Sequence, residues 1–159
     1  MAVIDIGPGA SDLNSYQLAG LTSVSMDNPA NETGRITSIE IWVNENLEGC
    51  KIGTFYVVSG NNLSARDYET IGNLAAGYNK FAVDINVESG DYIGVYHTGG
   101  RIEKQTTAGT GYWYVGDDQM SCSNKTFSTN TNQISLYGTG TTEVPPPEVD
   151  NAIFFGINF

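Results

Sequence analysis

The stretch KFAVDINVESGDYIGVYH, residues 80–97, decides the fold class because it has the pattern of two strands joined by a tight turn. In its first half Phe81, Val83, Ile85 and Val87 alternate with polar or small residues, which predicts a strand with one buried face. The letters ESG that follow are typical of a turn, and DYIGVYH predicts a second strand. This hairpin therefore indicates an all-β domain.

The same pattern of short strands between turns continues along the chain. In RITSIEIWVN the side chains of Ile39, Ile41 and Val43 share one face, and CKIGTFYVVSG is apolar on both faces, as a central strand would be. The one helix-like piece, YETIGNLAAG, is weakened by its glycines. About seven strands at this spacing predict a β-sandwich that is jelly-roll-like. The predicted strands are Ala2–Ile6, Arg35–Asn44, Cys50–Gly60, Lys80–Val87, Asp91–His97, Tyr112–Val115 and Ile134–Tyr137.

The chain divides into three parts. Residues 1–141 form the predicted sandwich body, residues 142–150 (TEVPPPEVD) a proline-rich linker, and residues 151–159 (NAIFFGINF) a hydrophobic C-terminal strand with period-two alternation. This strand has two candidate partners, the chain's own strand Ala2–Ile6 or another subunit. A stiff linker, extended at about 3.1 Å per residue, suits a neighbour better, so we expect an assembly strand with an extended tail. Its large apolar residues are Ile153, Phe154, Phe155, Ile157 and Phe159.

Composition narrows the classes of partner. Seven basic and eighteen acidic residues give a net charge of -11, which disfavours nucleic acid and anionic membranes. No apolar run is long enough to span a bilayer, so we expect no membrane insertion. The opening MAVIDIGPGASDLN has neither the basic nor the apolar region of a secretory signal, so we expect synthesis in a cytoplasm.

Candidate catalytic and metal-binding residues are few. His97 is the single histidine, and no nucleophile motif accompanies it; a surface position at a strand end is the simpler expectation. Cys50 and Cys122 are too few for a disulfide scaffold, and whether they pair stays open. The loops DNPANE and VGDDQ offer oxygen ligands for calcium, but neither has the spacing of an EF-hand, and solvated turn acids are the preferred interpretation. We therefore expect no catalytic site, no metal and no cofactor.

The aromatic stretch GTGYWYVGDD, residues 109–118, offers a candidate glycan-binding site. Exposed rings of Tyr112, Trp113 and Tyr114 could stack on sugars. The structural interpretation is preferred: Tyr112 and Tyr114 share one face of a strand, and Trp113 packs in the core or against a neighbour.

Four segments of the body carry a resemblance: NPANETGRITSIEIWV, GCKIGTFYVVSGNNLSARDYETIG, FAVDINVESGDYIGVYHTGG and ISLYGTGT. Over Asp5–Thr141 the chain resembles β-sandwich modules of virion and appendage structural proteins of tailed phages, many known from environmental sequences. The resemblance implies a non-enzymatic role on a virion, as a capsid decoration protein or surface assembly subunit, and supplies no catalytic residues. The partners expected from it are other copies of the chain and a capsid or particle protein. The alternative is a carbohydrate- or receptor-binding module on a phage tail or a cell surface.

Overall fold

A computed structural model describes residues 2–106 and 109–142, and these residues form strands and turns without a helix. None of them belongs to a helix that is long and apolar enough to cross a membrane. The all-β, sandwich-like fold predicted from the sequence is confirmed. The strands of the described residues are β1 (Val3–Gly9), β2 (Ser15–Gln17), β3 (Leu21–Ser25), β4 (Gly34–Ser59), β5 (Asn62–Leu74), β6 (Gly77–Val87), β7 (Tyr92–Tyr96), β8 (Gly99–Gln105), β9 (Tyr112–Gly116), β10 (Lys125–Thr126), β11 (Ser128–Asn130), β12 (Gln133–Ile134) and β13 (Leu136–Thr141).

Strand β4 is shared by both sheets of the sandwich. Its first part pairs with β13 and β6, and its second part pairs with β5 and β7. We call the first sheet, which also holds β1, β2, β8 and β12, sheet I, and the second, which also holds β3, β9, β10 and β11, sheet II.

The sequence predicted two strands where the structure has one continuous β4. The segment between them, residues 45–49, contains no proline, so the chain keeps pairing and passes from sheet I to sheet II through bulges. The helix-like segment YETIGNLAAG lies largely in β5, because pairing with β4 overrides a weak local preference.

The main core lies between the two sheets and confirms the predicted faces. Ile39, Ile41 and Val43 of β4 are buried in it, and so are Val83 and Val87 of β6. Phe81 packs against the same cluster and is partly buried. Alternation along these strands therefore predicted correctly which side chains face inward.

A second core covers the outer face of sheet II. Residues 117–127, here called the cover segment, place Met120 and Phe127 against Phe55 and Trp113. The rings of Phe55 and Phe127 meet edge to face at 6.3 Å. Sheet II is therefore packed on both faces, whereas no described segment forms a comparable core over the outer face of sheet I.

Candidate functional site

The outer edge of β1 is closed by asparagine side chains. Asn31 accepts a hydrogen bond from the backbone N–H of Asp5 at 2.9 Å and donates one to the carbonyl of Val3 at 3.1 Å. The backbone carbonyl of Asn28 accepts from the N–H of Gly7 at 2.8 Å, and the Asn28 side-chain amide donates to the Gly7 carbonyl at 3.0 Å. These amides imitate a neighbouring strand, so another strand can add to β1 only by displacing them.

The outer edge of β6 is closed in a similar way by carboxylates. The N–H of Asp84 donates to Glu69 at 2.9 Å, and the N–H of Asn86 donates to Asp67 at 2.8 Å. Arg35 bridges the same edge, with an ion pair to Asp84 and a hydrogen bond to the Asn86 side chain at 2.6 Å. Side chains thus bridge the gap between β5 and β6 on the open side of the sandwich.

The described chain ends at Thr142 beside a cleft. The N–H of Thr142 donates to the carbonyl of Ala2 at 3.1 Å, and a Cβ placed on Gly34 would lie 2.9 Å from the Thr142 Cα. Gly34 also lines the cleft, which has a volume of about 410 Å³ and is called the exit cleft below. The residues that line it are Thr33, Gly34, Arg35, Arg66, Asn86, Val87 and Glu88.

The cations of the exit cleft are already paired. Arg66 forms a two-pronged ion pair with the buried Asp91 and a second ion pair with Glu88 at 3.0 Å. The hydrogen bond to Asp91 raises the pKa of the Arg66 guanidinium, which also stacks 4.6 Å above the ring of Tyr56. The cleft therefore offers shape and hydrogen-bonding groups rather than a free positive charge for an anion.

An apolar hairpin tip lies next to this cleft. Tyr56, Val57 and Val58 are 38, 38 and 47% exposed at the end of β4, and we call these three residues the hairpin tip. The hydroxyl of Thr54 donates to the carbonyl of Asn86 at 2.7 Å, which places this part of β4 over the exit cleft. Three consecutive exposed apolar residues are unusual on a folded surface unless they serve a contact.

The outer face of sheet I carries a pair of aromatic rings, one half-buried (Trp42) and one exposed (Tyr78). Trp42 and Tyr78 are register partners whose ring centroids lie 5.9 Å apart. Tyr78 is 48% exposed, and its hydroxyl donates to Glu40 at 2.7 Å, which raises the pKa of the phenol. Tyr137 pairs with Glu40 from the other side, and its hydroxyl donates to Asp5 at 2.8 Å. Carboxylates thus fix two hydroxyls beside an exposed aromatic surface.

The aromatic residues predicted as a glycan site are packed into the two cores. Trp113 is 6% exposed, meets Tyr92 edge to face at 4.9 Å, and donates its indole N–H to Asn61 at 3.0 Å. Tyr112 is 2% exposed and belongs to the main core, and Tyr114 packs against its ring at 5.9 Å. This placement favours the structural alternative for all three residues.

The predicted assembly residues Ile153, Phe154, Phe155, Ile157 and Phe159 lie outside the described residues, as does most of the linker. The structure describes the linker only at Thr142, beside the exit cleft.

His97 is buried, and a surface position was the wrong expectation. It is 1% exposed, and its Nδ1 lies 3.2 Å from the carbonyl oxygen of Gly99. Burial lowers the pKa of the imidazole. Because Thr98 is hydrogen-bonded to Glu48 through both its N–H and its hydroxyl, the strand end is drawn under β4 rather than into water.

The two cysteines are separate from each other, and an acid of a candidate calcium loop is ion-paired. Both thiols are free: Cys50 lies in the main core, where burial raises its pKa to about 12, and Cys122 packs against the second core. Among residues 2–106 and 109–142, no group of three histidine, cysteine or acidic side chains is placed to hold a metal ion. Asp118 of the loop VGDDQ instead pairs with Lys51 at 2.5 Å.

The sequence analysis identified neither the Trp42–Tyr78 surface nor the hairpin tip as exposed, although the alternation of residues along β4 indicated the first of them. Alternation had already placed Glu40 and Trp42 opposite the buried face of β4. The hairpin tip gave no such signal, because its apolar run looks like a buried central strand.

No known family model matches the sequence, and no curated protein is significantly similar to it.

Proposed function

We propose that the chain is a non-enzymatic structural subunit of a virion surface, such as a capsid decoration protein, that contacts a neighbouring copy through residues 151–159. The virion setting rests on the resemblance over Asp5–Thr141. The contact with a neighbour rests on the closed edge of β1.

The edge of β1 lies close to the point where the described chain ends, since the N–H of Thr142 donates to the carbonyl of Ala2. Val3 pairs with Thr141 through the inner edge of β1, and the outer edge is occupied by Asn28 and Asn31. A C-terminal strand that returned to its own β1 would have to break these hydrogen bonds. Because the outer backbone groups of β1 already have partners, a returning strand would gain little at this edge, so docking on another copy is favoured.

The test replaces Phe155 and Ile157 with aspartate in the full-length chain. Two charges on the apolar face of the segment should abolish self-association because a dry contact cannot accommodate unpaired carboxylates. Light scattering reports the assembly, and circular dichroism melting reports the fold. Asn158→Asp is the matched control, since it adds a charge on the opposite face of the same segment.

Two results would count against this function. If the double variant assembles like the parent, the segment is not an assembly element. If it melts at a much lower temperature, the segment belongs to the chain's own core.

A second candidate function, glycan binding, is favoured by the Trp42–Tyr78 pair. Exposed aromatic rings next to hydrogen-bonding groups suit stacking on a sugar ring. The neighbouring carboxylates of Glu40 and Asp5 disfavour anionic sugars, so the ligand of this site would be a neutral glycan.

A glycan array separates this candidate from the first. Trp42→Ala and Tyr78→Ala should each lose a signal that the parent gives, while Tyr68→Ala should keep it. Tyr68 is a suitable control because it is 39% exposed on sheet II. A parent protein that binds no glycan removes this candidate.

A further inference from the structure

We infer that the hairpin tip, with the adjoining rim of the exit cleft, is the surface that receives residues 151–159 of a second copy. This inference rests on the proposed function and names the receiving surface for the C-terminal segment.

The hairpin tip has the chemistry of a contact surface. Tyr56, Val57 and Val58 leave more than a third of their surface in water, and water-exposed apolar runs are selected against unless they are covered in the functional state. The segment 151–159 is the complementary apolar element, with five large apolar side chains in nine positions. Covering the hairpin tip with these side chains would remove its exposed apolar surface from water.

The closed edges restrict how the segment can dock on sheet I. Both β1 and β6 have their outer backbone groups occupied by side chains, so adding a strand to either edge requires breaking existing hydrogen bonds. At the hairpin tip the apolar side chains themselves are exposed. Packing onto Val57 and Val58 therefore breaks none of the edge hydrogen bonds described above.

The position of Thr142 favours a second copy over the same copy. Thr142 adjoins Gly34, Gly34 lines the exit cleft with Arg66, and Arg66 stacks on Tyr56. The exit point and the hairpin tip of one copy are thus neighbours. A proline-rich linker of the length of residues 143–150 would span about 25 Å at about 3.1 Å per residue. That span is long for the short return to the tip of the same copy, which favours the tip of an adjacent copy.

The experiment mixes two full-length variants with complementary defects. The tip variant carries Val57→Asp and Val58→Asp, and the tail variant carries Phe155→Asp and Ile157→Asp. Each alone should remain monomeric at a concentration at which the parent assembles. Their mixture should form a one-to-one complex, because the intact segment of the tip variant can dock on the intact tip of the tail variant. Size-exclusion chromatography with light scattering measures both.

Two controls keep the result specific. Leu18→Asp adds a charge to another exposed apolar residue, 54% exposed, and should assemble like the parent. The double variant Val57→Thr and Val58→Thr keeps the branched shape and the strand preference but removes apolar surface. It should also weaken assembly, which would show that the aspartates of the tip variant disrupt the contact and not the fold.

The outcomes separate this inference from the proposed function. A tail variant that assembles like the parent contradicts the proposed function itself. If the tail variant is monomeric but the tip variant still assembles, only the assignment of the hairpin tip as the receiving surface is wrong. Two monomeric variants whose mixture gives no complex overturn docking on a second copy.

Discussion

The two tryptophans of the chain lie on the outer faces of different sheets, and only one of them is covered. Trp113 lies on sheet II beneath the cover segment and is 6% exposed. Trp42 lies on the outer face of sheet I, where its described ring partner Tyr78 is 48% exposed. Both residues follow the same strand alternation, so alternation alone does not decide burial.

The difference between these faces comes from a segment that is distant along the chain. The cover segment converts the outer face of sheet II into a second core, and Phe127 reaches across it to Phe55. An aromatic residue on a covered face contributes to folding, whereas one on an uncovered face is available for binding. The predictions below use this contrast.

Trp113→Ala should have the largest effect on stability. Removal of a buried indole from a packed cluster costs about 3–5 kcal/mol of the free energy of unfolding, and here the indole hydrogen bond to Asn61 is lost as well. Urea denaturation followed by circular dichroism measures the change. A loss below 1 kcal/mol, roughly the value for an exposed ring, would show that the cover segment does not pack as described.

Gly94→Ala should have the next largest effect. A Cβ on Gly94 would lie 2.7 Å from Cε1 of Phe55 and 3.0 Å from the carbonyl oxygen of Ser23. Overpacking of this kind costs about 1–3 kcal/mol because ring and backbone must both shift. Gly116→Ala is the matched control, since a Cβ there meets no neighbour, and equal melting temperatures for the two variants would contradict the prediction.

Trp42→Ala should lower stability far less than Trp113→Ala. Trp42 lies outside both cores, and its ring contact is the cross-strand pair with Tyr78; such pairs contribute about 0.2–1 kcal/mol. The same urea titration applies. A loss as large as that of Trp113→Ala would mean that the outer face of sheet I is covered in solution.

His97 should give the smallest effect, a pH dependence of stability. Burial lowers the pKa of its imidazole below the value of about 6.5 expected in the unfolded chain. The unfolded state therefore binds the proton first, so stability is complete above the unfolded pKa and falls as the pH drops through the folded one. The free energy of unfolding of the parent minus that of His97→Gln, measured between pH 5 and 7, isolates this contribution. A difference that does not change with pH would contradict it.

The sequence predicted which side chains of a strand face inward, but it did not predict which distant segments cover or close a strand. The inward faces of β4 and β6 were correct because period-two alternation is local. The continuity of β4 was missed because bulges replace a loop where turn residues were expected. The burial of Trp113 depends on Met120 and Phe127, whose approach no local pattern indicates. The hydrogen bonds from Asn31 to the outer edge of β1 could not be predicted either, because an asparagine in a turn does not indicate which distant backbone groups it binds.

The pairing of β1 with β13 also sets when the protein can finish folding during its synthesis. Val3 pairs with Thr141, so the inner edge of β1 stays unpaired until β13, the last described strand, has been translated. Asn28 and Asn31 are made soon after β1 and can occupy its outer edge while the chain is still being translated. Pairings between residues so far apart in sequence form slowly. The nascent chain therefore exposes a single unpaired edge of β1, and the completion of sheet I follows the translation of residue 141.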